Sequence, residues 1–182
     1  MSALGEGRRA QRGDRLSASG AMSVERLAEG FERVTRLLAE RGHPHRPVWL
    51  DNAVRTSQQA ADALGVVVGQ IAKSVVFRRR EDDAAVLVLA SGDRRVDESK
   101  VAARVGAIGR ADAAFVKQRS GYSIGGVAPL GHAEPPLTLI DAELFRFSEI
   151  WAAAGHPNGV FRLTPAELER LTGAPVVDVV AP

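Results

Sequence analysis

The sequence predicts an α+β domain: a mixed, barrel-like β-sheet of about seven strands flanked by helices. Three observations carry this. Seven short apolar segments rich in β-branched residues recur along the chain. Four or five segments with helical periodicity or clear capping residues lie between them. Their order is irregular, with no βαβ alternation and no internal repeat.

Residues 1–22 are rich in Gly, Ser, Ala and Arg and show no periodicity, so they are expected to be a disordered basic tail. Residues 23–182 are expected to form a single domain, a size that supports a real core. From Ser23, the residues Val24, Leu27, Phe31, Val34, Leu37 and Leu38 recur at helical spacing. Gly42 is placed to end that helix. His43-Pro44-His45-Arg46-Pro47 is a stiff connector, and Pro47–Asp51 reads as a short strand.

Thr56 and Gln59 make a capping box, and Gly65 stops the helix that follows. Ile71–Arg78 and Ala85–Ala90 are apolar runs joined by a charged turn, the pattern of a hairpin. Asp97 caps a helix through Arg104, and Asp112 starts another to Gln118. Gly121 to Pro136 is too dense in glycine and proline for a helix. Leu137–Ile140 reads as a buried strand. Glu149–Ala154 could be helix by composition, but the turn Gly155-His156-Pro157-Asn158-Gly159 and the partner-like run Val160–Leu163 favour a strand. Thr164-Pro165-Ala166-Glu167 opens a last helix that ends at Gly173, before a strand at Val176–Val180.

Composition narrows the function. The 182 residues include no cysteine, so disulfides, thiolate metal sites and a cysteine nucleophile are excluded. No apolar run approaches the ~18 residues of a membrane span. No apolar block follows the N-terminal arginines, so a secretory signal is not expected, and a mitochondrial presequence is the weaker alternative because Glu6 and Asp14 interrupt the basic run. A cytoplasmic protein is the expectation. The formal charge of +2 resides entirely in residues 1–22, so attraction for RNA must come from a local patch.

Three features are candidates for chemistry. Lys73 shares a strand face with Ile71, Val75 and Phe77, where an ammonium is costly unless it meets a partner or a wet pocket. It would suit an anionic ligand; an edge-strand lysine reaching solvent is the plainer alternative. The segment Gly125-Gly126-Val127-Ala128-Pro129-Leu130-Gly131 allows close backbone approach, and its amides could hold an oxyanion. An ordinary tight turn explains it too. His156, held extended by Pro157, could bond a substrate hydroxyl or orient water, or be a plain turn residue. No Gly-x-Ser-x-Gly elbow exists, and His43 and His45 lack an acidic neighbour in sequence, so no metal is expected.

Taken in order, these segments resemble the YbaK/EbsC family of free-standing aminoacyl-tRNA deacylases and synthetase-linked editing domains. The similarity runs from about Thr56 to Val180. Its landmarks are Gln70-Ile71-Ala72-Lys73-Ser74, Gly92-Asp93, Lys100, Gln118-Arg119-Ser120-Gly121-Tyr122, the Gly125–Gly131 loop and Leu139-Ile140-Asp141. The resemblance implies ester hydrolysis of mischarged aminoacyl-tRNA, with tRNA for proline or a related small-amino-acid mischarge as the substrate. It implies no cofactor, no metal and no covalent enzyme nucleophile. Lys73, Gly125, Gly126 and His156 inherit catalytic roles. Ser74, Tyr122, Val127, Pro129, Gly131, Gly155 and Pro157 inherit contacts to substrate. The implied partners are the aminoacyl-tRNA 3′ end and prolyl-tRNA synthetase, with the chain a monomer or homodimer. Ser74 stands where relatives often carry Asn or Thr. A tRNA- or synthetase-binding accessory module with weak catalysis is the alternative, and a small-molecule esterase a more distant one.

Overall fold

The computed structural model describes residues 16–182, with side chains from residue 28 onward. Helix α1 (Leu16–Glu40) starts seven residues before the expected Ser23. Residues 16–22 of the expected tail are helical, and residues 1–15 lie outside the described residues. Val34 and Leu38 of α1 are fully buried.

Four further α-helices, two short 3-10 turns and eight strands make up the rest of the described residues. The strands are β1 (Val48–Trp49), β2 (Ile71–Arg79), β3 (Ala85–Ser91), β4 (Ile108–Arg110), β5 (Leu137–Asp141), β6 (Ile150–Ala153), β7 (Gly159–Leu163) and β8 (Val176–Val177). They form one sheet in the order β1-β7-β6-β2-β3-β5-β8, with β4 also on β2. The sheet is mixed: β2–β6, β3–β5 and β5–β8 are parallel and the other pairs antiparallel. This is the expected α+β class. Two details differ. The sheet is open rather than barrel-like, since β1 and β8 end the order unpaired with each other. The eighth strand, β4, has three residues and owes its conformation to pairing with Phe77–Arg79, not to its own composition.

Helices begin where short polar side chains accept the first amides. Thr56 accepts from Gln59 N at the start of α2 (Ser57–Leu64), and Gly65 ends α2 in the left-handed region. Asp97 caps α3 (Glu98–Val105), Asp112 caps α4 (Ala113–Ser120) and Thr164 caps α5 (Pro165–Thr172). No helix among the described residues is long and apolar enough to cross a membrane.

Alternation along β3 builds the core. Leu87 and Leu89 enter the cluster containing Val34, Leu38 and Phe161. Val86, Val88 and Ala90 enter the cluster under α3 with Val101 and Val179. A strand buried on both faces is apolar along its length, which is why Ala85–Ala90 reads as an unbroken run; the buried hydroxyl of Ser91 at its end donates to the Gly69 carbonyl.

Candidate active site

The site arises from a gap in the sheet. One edge of β2 pairs along its length with β3. The other edge pairs with β6 only at Ile71 and Ala72, and with β4 only from Phe77. Lys73 to Val76 therefore have no strand partner on that side among the described residues. A cavity of about 350 Å3 opens there, walled by Ile71, Val127, Trp151 and Val160 and closed by the start of α2. The size is at the low end for small-molecule pockets, ~300–1,000 Å3.

Lys73 is half-buried in this wall. It also lines a second, more open and polar groove of about 890 Å3, formed by Gly92–Ser99. Its ammonium donates to the Arg94 carbonyl. Burial lowers its pKa below the ordinary lysine value, and the carboxylates of Asp141 and Asp93 offset part of that. Those carboxylates are fixed in turn. Asp141, itself buried, accepts from the amides of Ser91 (3.1 Å) and Glu143 (2.9 Å). Asp93 is bridged by Arg146 at 2.7 Å, which holds its carboxyl below the usual range.

The glycine loop packs against β2 and the 155–159 turn. Ser74 Oγ donates to the Val127 carbonyl at 2.7 Å. Gly126 leaves no room for a side chain: a Cβ would stand 2.7 Å from His156 Cα. The His156 ring is buried and tilted against Trp49, with centroids 4.4 Å apart. Its Nδ1 accepts from the Asn158 amide at 2.9 Å, which places the proton of the neutral ring on Nε2.

Comparison with known proteins places the chain in a family. The aminoacyl-tRNA editing domain model matches residues 51–171. The chain belongs to the aminoacyl-tRNA editing domain family. It is 37% identical over 126 residues to the YwhH protein of Bacillus subtilis (strain 168), covering 68% of this chain and 80% of that one. It is 36% identical over 80 residues to the proline–tRNA ligase of Thermosipho africanus (strain TCF52B), 43% of this chain but 14% of that enzyme. A crystal structure of a candidate trans-editing enzyme for prolyl tRNA synthetase superposes with TM-score 0.78 at 40% identity, covering 84% of this chain and 98% of that one.

Within this editing domain, the residues singled out from the sequence fall into two groups. Lys73, Ser74, Gly125 and Val127 line the cavity together. Gly126, Gly155, His156 and Pro157 stand behind the loop and do not line it. The Gly126 amide, expected to face an oxyanion, is taken by the Ser123 carbonyl at 2.9 Å. Gly155, at φ 85°, sits against α1, where a Cβ would lie 2.3 Å from the Gly30 carbonyl oxygen. Pro157 packs beside Gly125. Tyr122, Pro129 and Gly131, expected against substrate, lie away from the cavity. Tyr122 is a core residue whose hydroxyl donates to the Leu130 carbonyl at 2.8 Å, tying the far end of the loop. Burial raises its pKa.

Sequence reading missed Arg55, Thr56, Ala60 and Trp151 in the cavity wall. Trp151 was read only as part of a strand. Its indole Nε1 is buried without a hydrogen-bond partner among the described residues.

One pH effect follows from the turn. Burial depresses the His156 pKa. The folded state thus holds this proton less tightly than the unfolded chain. Its contribution to stability is present above the ordinary value near 6.5 and is lost as pH falls through the depressed one. His132, also depressed by burial, acts with the same sign. The melting temperature of the wild type is expected to fall below pH 6.5 more steeply than that of His156→Asn. Parallel curves for the two proteins would remove His156 from the acid response.

Proposed function

We propose that this editing domain is a free-standing deacylase that hydrolyses the ester of mischarged aminoacyl-tRNA, acting in the cytoplasm on tRNA for proline or a related small-amino-acid mischarge. The observation that carries this is the position of Lys73. It stands where an apolar cavity meets a polar groove, and an aminoacyl ester has the same division. The side chain of the amino acid suits the walls of Ile71, Val127, Trp151 and Val160. The ribose oxygens beside the ester suit the ammonium of Lys73.

In this reading, water attacks the ester carbonyl carbon. The bond from that carbon to the ribose oxygen breaks, and the ribose oxygen takes the proton that the water gives up. Lys73 stabilises the negative charge that builds on oxygen, at a half-buried position where water screens it only in part. The Gly125–Val127 segment fixes the carbonyl against β2. His156, behind that loop, positions it. The match to prolyl-tRNA synthetases supports tRNA for proline, and in this reading that synthetase is the partner from which the substrate is taken.

The test is a panel of mischarged tRNAs, beginning with alanyl- and cysteinyl-tRNA for proline. At least one small mischarge is expected to be hydrolysed roughly tenfold or more faster than prolyl-tRNA, as one or two methylenes in an apolar pocket allow. Binding of tRNA with no acceleration on any member would instead support an accessory module.

A further inference from the structure

The cavity and the groove share Lys73 and Val75 and diverge from them on either side of β2. We propose that the polynucleotide end of the substrate lies in the Gly92–Ser99 groove, leaving the site toward α3, and that Arg95 contacts a backbone phosphate there. This rests on the deacylase reading for what occupies the cavity. The direction is argued from the charges.

Most charged groups along the groove are already engaged. Arg94 pairs with Glu143 at 3.0 Å, and Asp93 with Arg146. The Asp97 carboxylate accepts from the amides of Ser99 and Lys100 at the start of α3. Arg95 is exposed, lines the groove and has no ion-pair partner among the described residues. An unengaged guanidinium in the groove that Lys73 also lines suits a phosphodiester, which it can grip with two parallel N–H donors. Glu98, also unpaired among the described residues, repels a phosphate and can accept from an exocyclic base amine.

The opposite rim is less suitable. It carries one cation, Arg55, likewise without an ion pair among the described residues, but its neighbours are Val54 and the exposed Ile124. A polyanion gains little from an apolar margin.

The experiment compares wild type, Arg95→Gln and Arg55→Gln for binding to an uncharged RNA oligonucleotide ending in CCA, by fluorescence anisotropy across a salt series. Arg95→Gln is expected to weaken binding roughly tenfold, the loss of one charged hydrogen-bonded contact. The slope of log affinity against log salt should become shallower by about 0.7. Arg55→Gln is expected to stay within about twofold of wild type. The reverse pattern, or no effect of either change, overturns the proposal. Because the oligonucleotide carries no ester, the two readings separate. Binding through Arg95 with no turnover of mischarged tRNA removes the deacylase and keeps the groove. Turnover that is indifferent to Arg95 removes the groove and keeps the deacylase.

Discussion

Replacing Lys73 with methionine is expected to lower the deacylation rate by at least about a hundredfold while leaving the melting temperature equal to or above that of the wild type. The rate loss is the scale seen when one electrostatic contact to a developing charge is removed from an enclosed site. The stability gain follows from the sign of the pKa shift. Burial disfavours the Lys73 ammonium, so the unfolded chain binds that proton more tightly than the folded one. The penalty is absent above the ordinary lysine range. It is fully present below the lowered folded value. Methionine has similar length and no charge to desolvate. The lost hydrogen bond to the Arg94 carbonyl works against this gain, since that carbonyl must find water in the groove. A strong loss of both activity and stability would mean that Lys73 is a structural cross-link between β2 and the 91–95 turn. Circular dichroism melts beside single-turnover rates separate the two outcomes.

The second large effect is expected from Gly126→Ala. The reason is space, not backbone strain, since Gly126 is not among the positive-φ glycines. A methyl group would stand 2.7 Å from both Cα and the carbonyl carbon of His156, and 2.8 Å from its nitrogen. That backbone cannot yield easily. The His156 carbonyl accepts from Gly159 N at 2.9 Å, its ring accepts from Asn158, and Trp49 covers the ring. Destabilisation of roughly 1–3 kcal/mol is expected, the ordinary cost of overpacking. The loop must then shift away from the turn. Gly125 and Val127 move with it, and both line the cavity. Activity should fall by about tenfold to a hundredfold, since a displacement near 1 Å is enough to spoil alignment. A variant with wild-type melting and wild-type rate would show that the loop floats free of the turn.

What the sequence made legible was local. Thr56, Asp97, Asp112 and Thr164 announce helix starts because a cap acts within three residues of itself. The β2–β3 hairpin and the β6–β7 pair were legible because the turns between them lie in the same stretch of chain. The features that make the site are long-range. Nothing in Lys73–Val76 says that β6 leaves β2 after Ala72 or that β4 rejoins it only at Phe77. Yet that gap is the cavity. For the same reason Ile108–Arg110 gave no sign of being a strand.

The family resemblance pointed to segments of the chain and could not orient them. It set Tyr122 and the Gly125–Gly131 loop beside substrate as a block. In the fold, Gly125 and Val127 face the cavity, while Tyr122 and Gly131 anchor the loop from the core side. His156 was read as an exposed turn residue or a catalytic one. It is neither exposed nor in the cavity wall, because Trp49, more than a hundred residues earlier, lies over its ring. Ser74, given a substrate contact and noted as a departure from relatives, lines the cavity and ties β2 to the loop.

The central claim is that this domain hydrolyses an aminoacyl ester at the junction marked by Lys73. The most direct measurement is single-turnover release of alanine from alanyl-tRNA for proline, with wild type, with Lys73→Met of matched stability, and without protein. The account predicts rapid first-order release by the wild type and a variant rate close to the spontaneous one. Equal release by wild type and Lys73→Met would contradict it, as would a wild-type rate no faster than the spontaneous loss.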